Sequence, residues 1–316
     1  MRTRSLALVT RESDLGLRRQ VVGTTAGRIA VRTGRRSTST ATILLHGAAG
    51  SWTTWTPLIV ASDRTGRPLH DLVVPDLRGW GESGALKSSA DVAGIAASVA
   101  ELARSLGYAR WNVVGHSLGG FVALELAASE PAATRSVVLV SSSGAGVMDA
   151  VRRPLRGGLR LPGFAGMLLA MRVLDAGGAG GRGLLRALRR IGLLRPAAAP
   201  LFAHSFAIDR SVVEALADEI RPASFLAAAR AAAAYDETRW QGITAPVVSL
   251  RGRSDVFSGA RDEDVFDALI PALTQRRIHD AGHFAHIERP DILLEAMRSA
   301  AGARLGGRRV ARGAAA

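Results

Sequence analysis

Cysteine is absent from this 316-residue chain. That excludes disulfides, thiolate metal sites and a cysteine nucleophile, and it leaves the redox compartment undecided. Lysine is almost absent: Lys87 is the single one among 41 basic residues, so the net charge of +14 is carried by arginine. Aromatic residues make up 5% of the chain and do not interleave with the arginines. A base-stacking surface therefore lacks its material, and no nucleic-acid partner is expected despite the charge. No apolar run approaches the roughly 18 residues that a membrane span requires. The basic Met1–Arg4 is followed by Ser5–Thr10, too short for the apolar region of a secretory leader, so a cytoplasmic location is the expectation. Neither a ligand cluster with metal spacing nor a phosphate-cradling glycine loop is found, so no metal and no cofactor are expected.

What is present is ordinary globular material, 47% hydrophobic and 22% charged. It suffices for one domain with a sizeable insertion or for two small ones. Alternation predicts a β-hairpin over Gln20–Arg32, after a polar lead-in of about residues 1–18 expected to be loose. Short buried strands are predicted at 41–45, 69–74, 111–114 and 136–140, separated by helical patterns at Trp52–Val60 and Ala90–Leu106. That alternation points to a largely parallel sheet covered on both faces. From Gly144 to about Trp240 the rhythm breaks into helical stretches at 165–174, 183–194, 212–220 and 224–235. Strands then resume at 246–250 and 275–279, and a last helix covers 290–303. The Gly-, Ala- and Arg-rich tail from Arg304 is expected to be disordered.

The chemistry centres on Gly115-His116-Ser117-Leu118-Gly119-Gly120, set between an apolar strand and a helix-forming run. A G-x-S-x-G turn in that context holds the serine in a strained conformation with its hydroxyl exposed, and the helix N-terminus faces whatever it attacks. A serine hydroxyl needs a base, and the base needs an orienting carboxylate. Asp255 follows the strand 246–250, and His283 follows the last strand, giving the chain order Ser117, Asp255, His283. His279, inside that strand, and His286 rival His283; Asp280 rivals Asp255, whereas Asp262 and Asp264 are expected on a solvated helix face. Ser141–Gly144, after the strand 136–140, contains no carboxylate, so an acid at that loop is excluded.

Five ordered stretches, His46-Gly47-Ala48, Asp76 to Ser83, the Ser117 turn, Gly252–Asp255, and Gly282-His283 followed by Glu288 and Pro290, make the chain resemble a serine-dependent α/β-hydrolase with a helical cap. The resemblance implies an α/β fold with a mostly parallel eight-stranded sheet, flanked by helices and interrupted by a cap after the sixth strand. The core would then occupy 1–143 and 241–303, the cap 144–240 and the tail 304–316. It implies Ser117 as nucleophile, His283 as base and Asp255 as its orienting acid, with the backbone N–H groups of Ala48 and Leu118 as the oxyanion hole.

His46 is expected to hold the oxyanion loop, and Asp76 with Arg78 to make a structural ion pair or turn contact beneath the site. His116, Trp52 and Phe284 are expected at the substrate, with a structural role the rival reading for His116 and core packing for Trp52, Trp55 and Phe284. Serine at this position departs from the epoxide hydrolases and haloalkane dehalogenases of the same fold, which need aspartate there. Hydrolysis of a carboxylic ester, thioester or lactone of a small molecule through an acyl-enzyme is the expected activity, with carbon–carbon hydrolysis by the same triad or a non-catalytic ligand receptor as alternatives. The ten arginines between Arg152 and Arg195 either attract anionic substrates or lipid surfaces or lie on solvated helix faces, the last being the expectation. A membrane surface is not among the expected partners.

Overall fold

A computed structural model of the chain describes residues 6–86 and 90–303. Its strands are β1 (Leu17–Thr24), β2 (Gly27–Gly34), β3 (Thr40–Leu45), β4 (Leu72–Pro75), β5 (Arg110–His116), β6 (Thr134–Val140), β7 (Val247–Gly252) and β8 (Leu273–Ile278). They form one sheet in the order β1-β2-β4-β3-β5-β6-β7-β8. The β1–β2 hairpin is antiparallel and closes at Thr24↔Gly27, and β2 runs antiparallel to β4. Every neighbouring pair from β4 and β3 onward is parallel.

The helices are α1 (Thr56–Arg64), α2 (Val92–Ser105), α3 (Leu118–Ser129), α4 (Ala145–Arg152), α5 (Pro154–Arg160), α6 (Pro162–Ala176), α7 (Gly178–Arg190), α8 (Leu194–Ala198), α9 (Arg210–Asp218), α10 (Pro222–Ala233), α11 (Ala260–Leu269), α12 (Ala285–Glu288) and α13 (Pro290–Gly302). The central strands are apolar at successive positions because both of their faces are covered. Ile43, Leu45, Val113, Val137 and Leu139 meet α2, α3 and α11 on one face. Leu44, Val114, Val138 and Val140 meet α1 and α13 on the other.

Helices α4 to α10 all fall between β6 and β7. The sequence pattern misses α4 and α5, which are short and separated by Pro154; a seven-residue helix offers too few turns for a periodic signal. The insertion is anchored by Glu125 of α3. This buried carboxylate accepts hydrogen bonds from the Tyr235 hydroxyl at 2.6 Å and from Arg239 at 2.7 and 3.0 Å.

The lead-in is tighter than its polarity implies. Leu8 and Leu15 are buried, the Leu8 N–H donates to Ser211 Oγ at 2.9 Å, and the Val9 N–H donates to Thr56 Oγ1 at 3.0 Å. Two leucines spaced among polar residues are enough to dock a segment that composition alone marks as loose. The tail from Arg304 lies outside the described residues.

Candidate active site

β5 runs straight into α3, and the chain reverses at Ser117 with φ 51° and ψ −117°. A non-glycine residue there costs about 1–3 kcal/mol and persists only if its surroundings hold it. They do so through the backbone: the Ser117 N–H donates to the Val140 carbonyl at 3.1 Å, and the Ser117 carbonyl accepts from Gly120, Phe121 and Ser143. A Cβ on Gly115 would overlap the Gly119 carbonyl, and one on Gly119 would overlap the Leu45 carbonyl. Both positions are therefore glycine by close backbone approach. The Ser117 hydroxyl stands 3.5 Å from Ser143 Oγ and opens into a cleft.

His283 and Asp255 come from the loops after β8 and β7. The His283 Nδ1 lies 2.9 Å from Asp255 Oδ1, both side chains buried. Asp255 also accepts from the Phe257 N–H at 2.8 Å and the Ser258 N–H at 3.3 Å on Oδ1, and from the Ser258 hydroxyl at 2.6 Å on Oδ2. Burial pushes this carboxyl up, but the adjacent imidazole and these donors outweigh it and hold the pKa below the ordinary aspartate value. With Nδ1 donating to Asp255, the His283 Nε2 carries the free lone pair. Ser117 and His283 line the same cleft.

The other walls of this cleft include Ala48, Leu118, Phe164, Phe225 and Phe284, and it encloses about 910 Å³ counting space open to solvent. The Leu118 N–H begins α3 and has no acceptor within that helix. Ala48 is brought up by the turn at Gly47, where a Cβ would stand 2.9 Å from Ser117 Cβ. His46 holds that turn from below. Its Nε2 accepts from the Leu77 N–H at 2.8 Å, so its Nδ1 donates to the Gly47 carbonyl at 2.7 Å.

Several expectations are corrected. His116 does not reach the cleft. It is buried under His283, donates Nε2–H to the His283 carbonyl at 3.0 Å, and packs at a tilt against the rings of His283, Phe284 and His286. The alternation of β5 turns His116 to the opposite side from the serine that follows it. Trp52 is likewise core: its ring sits under the Arg32 guanidinium, 4.7 Å away, with Trp55 and Leu58 in the same cluster. Of the three residues expected at the substrate, Phe284 alone lines the cleft.

Asp76 pairs with Arg32 of β2 at 3.0 Å, not with Arg78, whose guanidinium turns out to the Ala85 carbonyl. His279 lies just past β8, exposed, against Arg253. His286 is buried against Trp55, and burial takes its pKa down to about 3, so it is a neutral packing group.

Asp262 is the largest surprise. Asp264 is exposed as expected, but Asp262 is buried and accepts from the Gly146 and Gly259 N–H groups, both at 2.8 Å. Burial, and next to it the Asp255 charge, raise its carboxyl to about 6 against the pull of those two donors and of Arg251. A carboxylate of α11 therefore holds the first turn of α4. Reasoning from helix faces missed it because α11 is packed at its N-terminal turn and open farther along.

Ser143, Ser258 and Leu201 are further residues that the sequence did not single out. The His283 N–H donates to the Leu201 carbonyl of the insertion at 2.8 Å. Glu288, part of the quoted motif, accepts from the Gly282 N–H at 2.6 Å and from the Ala203 and His204 N–H groups at 2.9 and 3.2 Å. The loop carrying His283 is thus tied to the insertion on two sides. A signal for the turn at Asp255 existed in sequence: an aspartate side chain commonly accepts from the backbone N–H two residues on, as Asp255 does from Phe257.

Comparison with known proteins agrees with this architecture. A family model described as alpha/beta hydrolase fold matches residues 41–167. A soluble epoxide hydrolase of Corynebacterium sp. (strain C12) is 38% identical over 85 residues, 27% of this chain and 28% of that protein. The curated relatives matched are spanned over between 27% and 39% of their own length. A thermophilic esterase from Thermogutta terrifontis superposes with a TM-score of 0.65 at 24% identity, over 89% of this chain and 97% of that one. The epoxide hydrolase CorEH superposes with a TM-score of 0.69 at 18% identity, over 92% of this chain and 100% of that one.

Proposed function

We propose that this chain, an α/β-hydrolase-fold protein, is a serine hydrolase that cleaves carboxylic esters of small to medium apolar molecules through an acyl-enzyme. One observation carries the reading: a strained, cleft-facing serine shares its cleft with a histidine whose Nδ1 is bonded to a buried carboxylate. In this reading Ser117 Oγ attacks the substrate carbonyl and His283 Nε2 takes the hydroxyl proton. The N–H groups of Leu118 and Ala48 stabilise the oxyanion, each donor of that kind being worth roughly 3–4 kcal/mol of barrier. The tetrahedral intermediate collapses, the alcohol leaves with the proton from His283, and water attacks the acyl-serine by the same relay. Asp255 fixes the tautomer and balances the imidazolium.

The residue at the turn supports this bond class. Epoxide hydrolases appear by name among the relatives and structural neighbours. Position 117, however, is a serine here, and acyl transfer is the chemistry that an activated hydroxyl supports best. The helical insertion acts as a cap: Phe164, Met167 and Met171 of α6, Leu216 of α9 and Phe225 of α10 supply much of an apolar lining. Ester turnover of a p-nitrophenyl series, with Ser117→Ala and a fluorophosphonate probe alongside, tests the proposal. The expected result is turnover and labelling that both vanish in the variant. Labelling without ester turnover would move the assignment to carbon–carbon or other specialised acyl substrates, and neither would overturn it in favour of a ligand receptor.

A further inference from the structure

The apolar side chains that the fold leaves in water are concentrated in one segment of the chain. Among the described residues, ten large hydrophobics are exposed, and eight of them lie between residues 155 and 206. Leu155 and Leu159 stand one turn apart on α5 at 85% and 84% exposure, Leu169 and Val173 repeat that spacing on α6, and Phe206 is 90% exposed. Leu184 lies on α7, and Ile191 and Leu193 follow it. Singly such residues need no explanation, but a concentration on successive helices does. Helix α6 is apolar on both sides. Phe164, Met167 and Met171 face the cleft, while Leu169 and Val173 project to the outside. A helix apolar all round is one that expects cover on its outer face as well.

Charge identifies the cover. Residues 151–208 contain ten arginines and one acidic residue, Asp175, which is +9 of the chain's +14; the four arginines of 304–316 carry +4 more, leaving +1 for everything else. A bias toward arginine in composition would spread through the whole chain and would not remove acids from one segment. Arg153, Arg156, Arg160 and Arg172 are exposed among these same leucines, and none has an ion-pair partner among the described residues. Short helices that pair exposed leucines with unpaired arginines match the interfacial plane of a bilayer with anionic headgroups. A second copy of the chain fits poorly, because a self-complementary contact would press two such positive surfaces together.

We propose that the outer face of α5, α6 and α7 docks on an anionic phospholipid surface, apolar side chains seated at the acyl boundary and arginines on the phosphates. Docking would leave α6 lying between the bilayer and the cleft. The inference does not depend on the chemistry of Ser117, since its readout is binding.

Vesicle sedimentation tests it, with phosphatidylcholine alone and with roughly 30 mol% phosphatidylglycerol at low salt. The expected partition into anionic vesicles is at least about tenfold above neutral ones and falls as salt rises. Leu155→Gln/Leu159→Gln/Leu169→Gln/Val173→Gln should reduce it about tenfold or more, and Arg153→Gln/Arg156→Gln/Arg160→Gln/Arg172→Gln should abolish the anionic preference. Ser117→Ala should bind as the parent does. All five native tryptophans are buried, so Leu159→Trp adds an exposed reporter on α5 whose emission should shift to the blue with anionic vesicles.

Absence of binding to anionic vesicles, or binding untouched by the leucine variant and without the emission shift, would overturn the proposal. So would a dimer in sedimentation equilibrium that the leucine variant converts to monomer without any vesicle binding.

Discussion

Replacing Asp255 by asparagine distinguishes a role for its charge from a role for its geometry. In serine triads where the new amide turns its NH2 toward the histidine, the wrong tautomer results and activity falls about 10⁴-fold. The donors around Asp255 argue for the opposite orientation here. Its Oδ1 faces three donors, His283 Nδ1, the Phe257 N–H and the Ser258 N–H, whereas Oδ2 faces only the Ser258 hydroxyl. A hydroxyl can rotate to accept from an NH2 group, but two backbone N–H groups cannot. The amide oxygen of Asp255→Asn should therefore occupy the Oδ1 position, and the His283 tautomer should survive. What is lost is the charge opposite the imidazolium, a difference of about 1.5–3 kcal/mol for a hydrogen bond to a charged group. That converts to a fall in kcat/KM of roughly 10- to 150-fold. Asp255→Ala, which removes the acceptor altogether, should cost far more, on the order of 10³–10⁴-fold. Steady-state kinetics on a p-nitrophenyl ester measures both. Equal losses near 10⁴ in the two variants would mean that the donor pattern does not set the amide orientation, and the argument would fail.

Three further expectations concern the frame around the site. Arg32→Met strips Asp76 of its guanidinium while leaving it fully buried with only the Trp52 and Glu82 N–H donors; urea unfolding should lose about 3–5 kcal/mol, and a loss below about 1 kcal/mol would show that the backbone donors suffice. Gly119→Ala forces a Cβ into the Leu45 carbonyl, so ester turnover should fall by far more than it does for Leu118→Ala, whose N–H remains in place; similar rates would place the turn elsewhere. For Asp262, raised to about 6, the sign is that of an acid whose folded form holds its proton more tightly than the unfolded chain does. The penalty is complete above pH 6 and is relieved as pH falls toward 4, a span of roughly 3 kcal/mol. Stability of the parent relative to Asp262→Asn should accordingly rise between pH 8 and pH 5 in urea titrations, and a flat difference would contradict the burial argument.

The elements that sequence reading placed best are those whose signal is local. The β5–Ser117–α3 turn needs only an apolar strand, two close-approach glycines and a helix former, all contiguous, and Asp255 and His283 follow because each sits in the loop after a strand. What was not legible depends on partners distant in the chain. Arg32 lies 44 residues before Asp76 and took the place assigned to Arg78, which is two residues away. Asp262 reads as a solvated helix residue until Gly146, 116 positions earlier, is packed against it. His116 and Trp52 are aromatic neighbours of site residues in sequence, yet strand alternation for the one and the Arg32 guanidinium for the other keep them in the core. Exposure of the leucines on α5 and α6 had no sequence signature at all, since leucine in a helical pattern is ordinarily read as core.

The double tie between the His283 loop and the insertion bears on how such a protein can be rebuilt. Caps inserted between two strands invite exchange by recombination, with one cut after β6 and another before β7. Here such a graft would carry off Leu201, Ala203 and His204, whose backbone groups position the His283 N–H and Glu288. A chimera that imports another protein's helices would keep the His283–Asp255 geometry only if the segment 199–204 stays with the recipient. The modular unit of this molecule is therefore smaller than the stretch between its sixth and seventh strands.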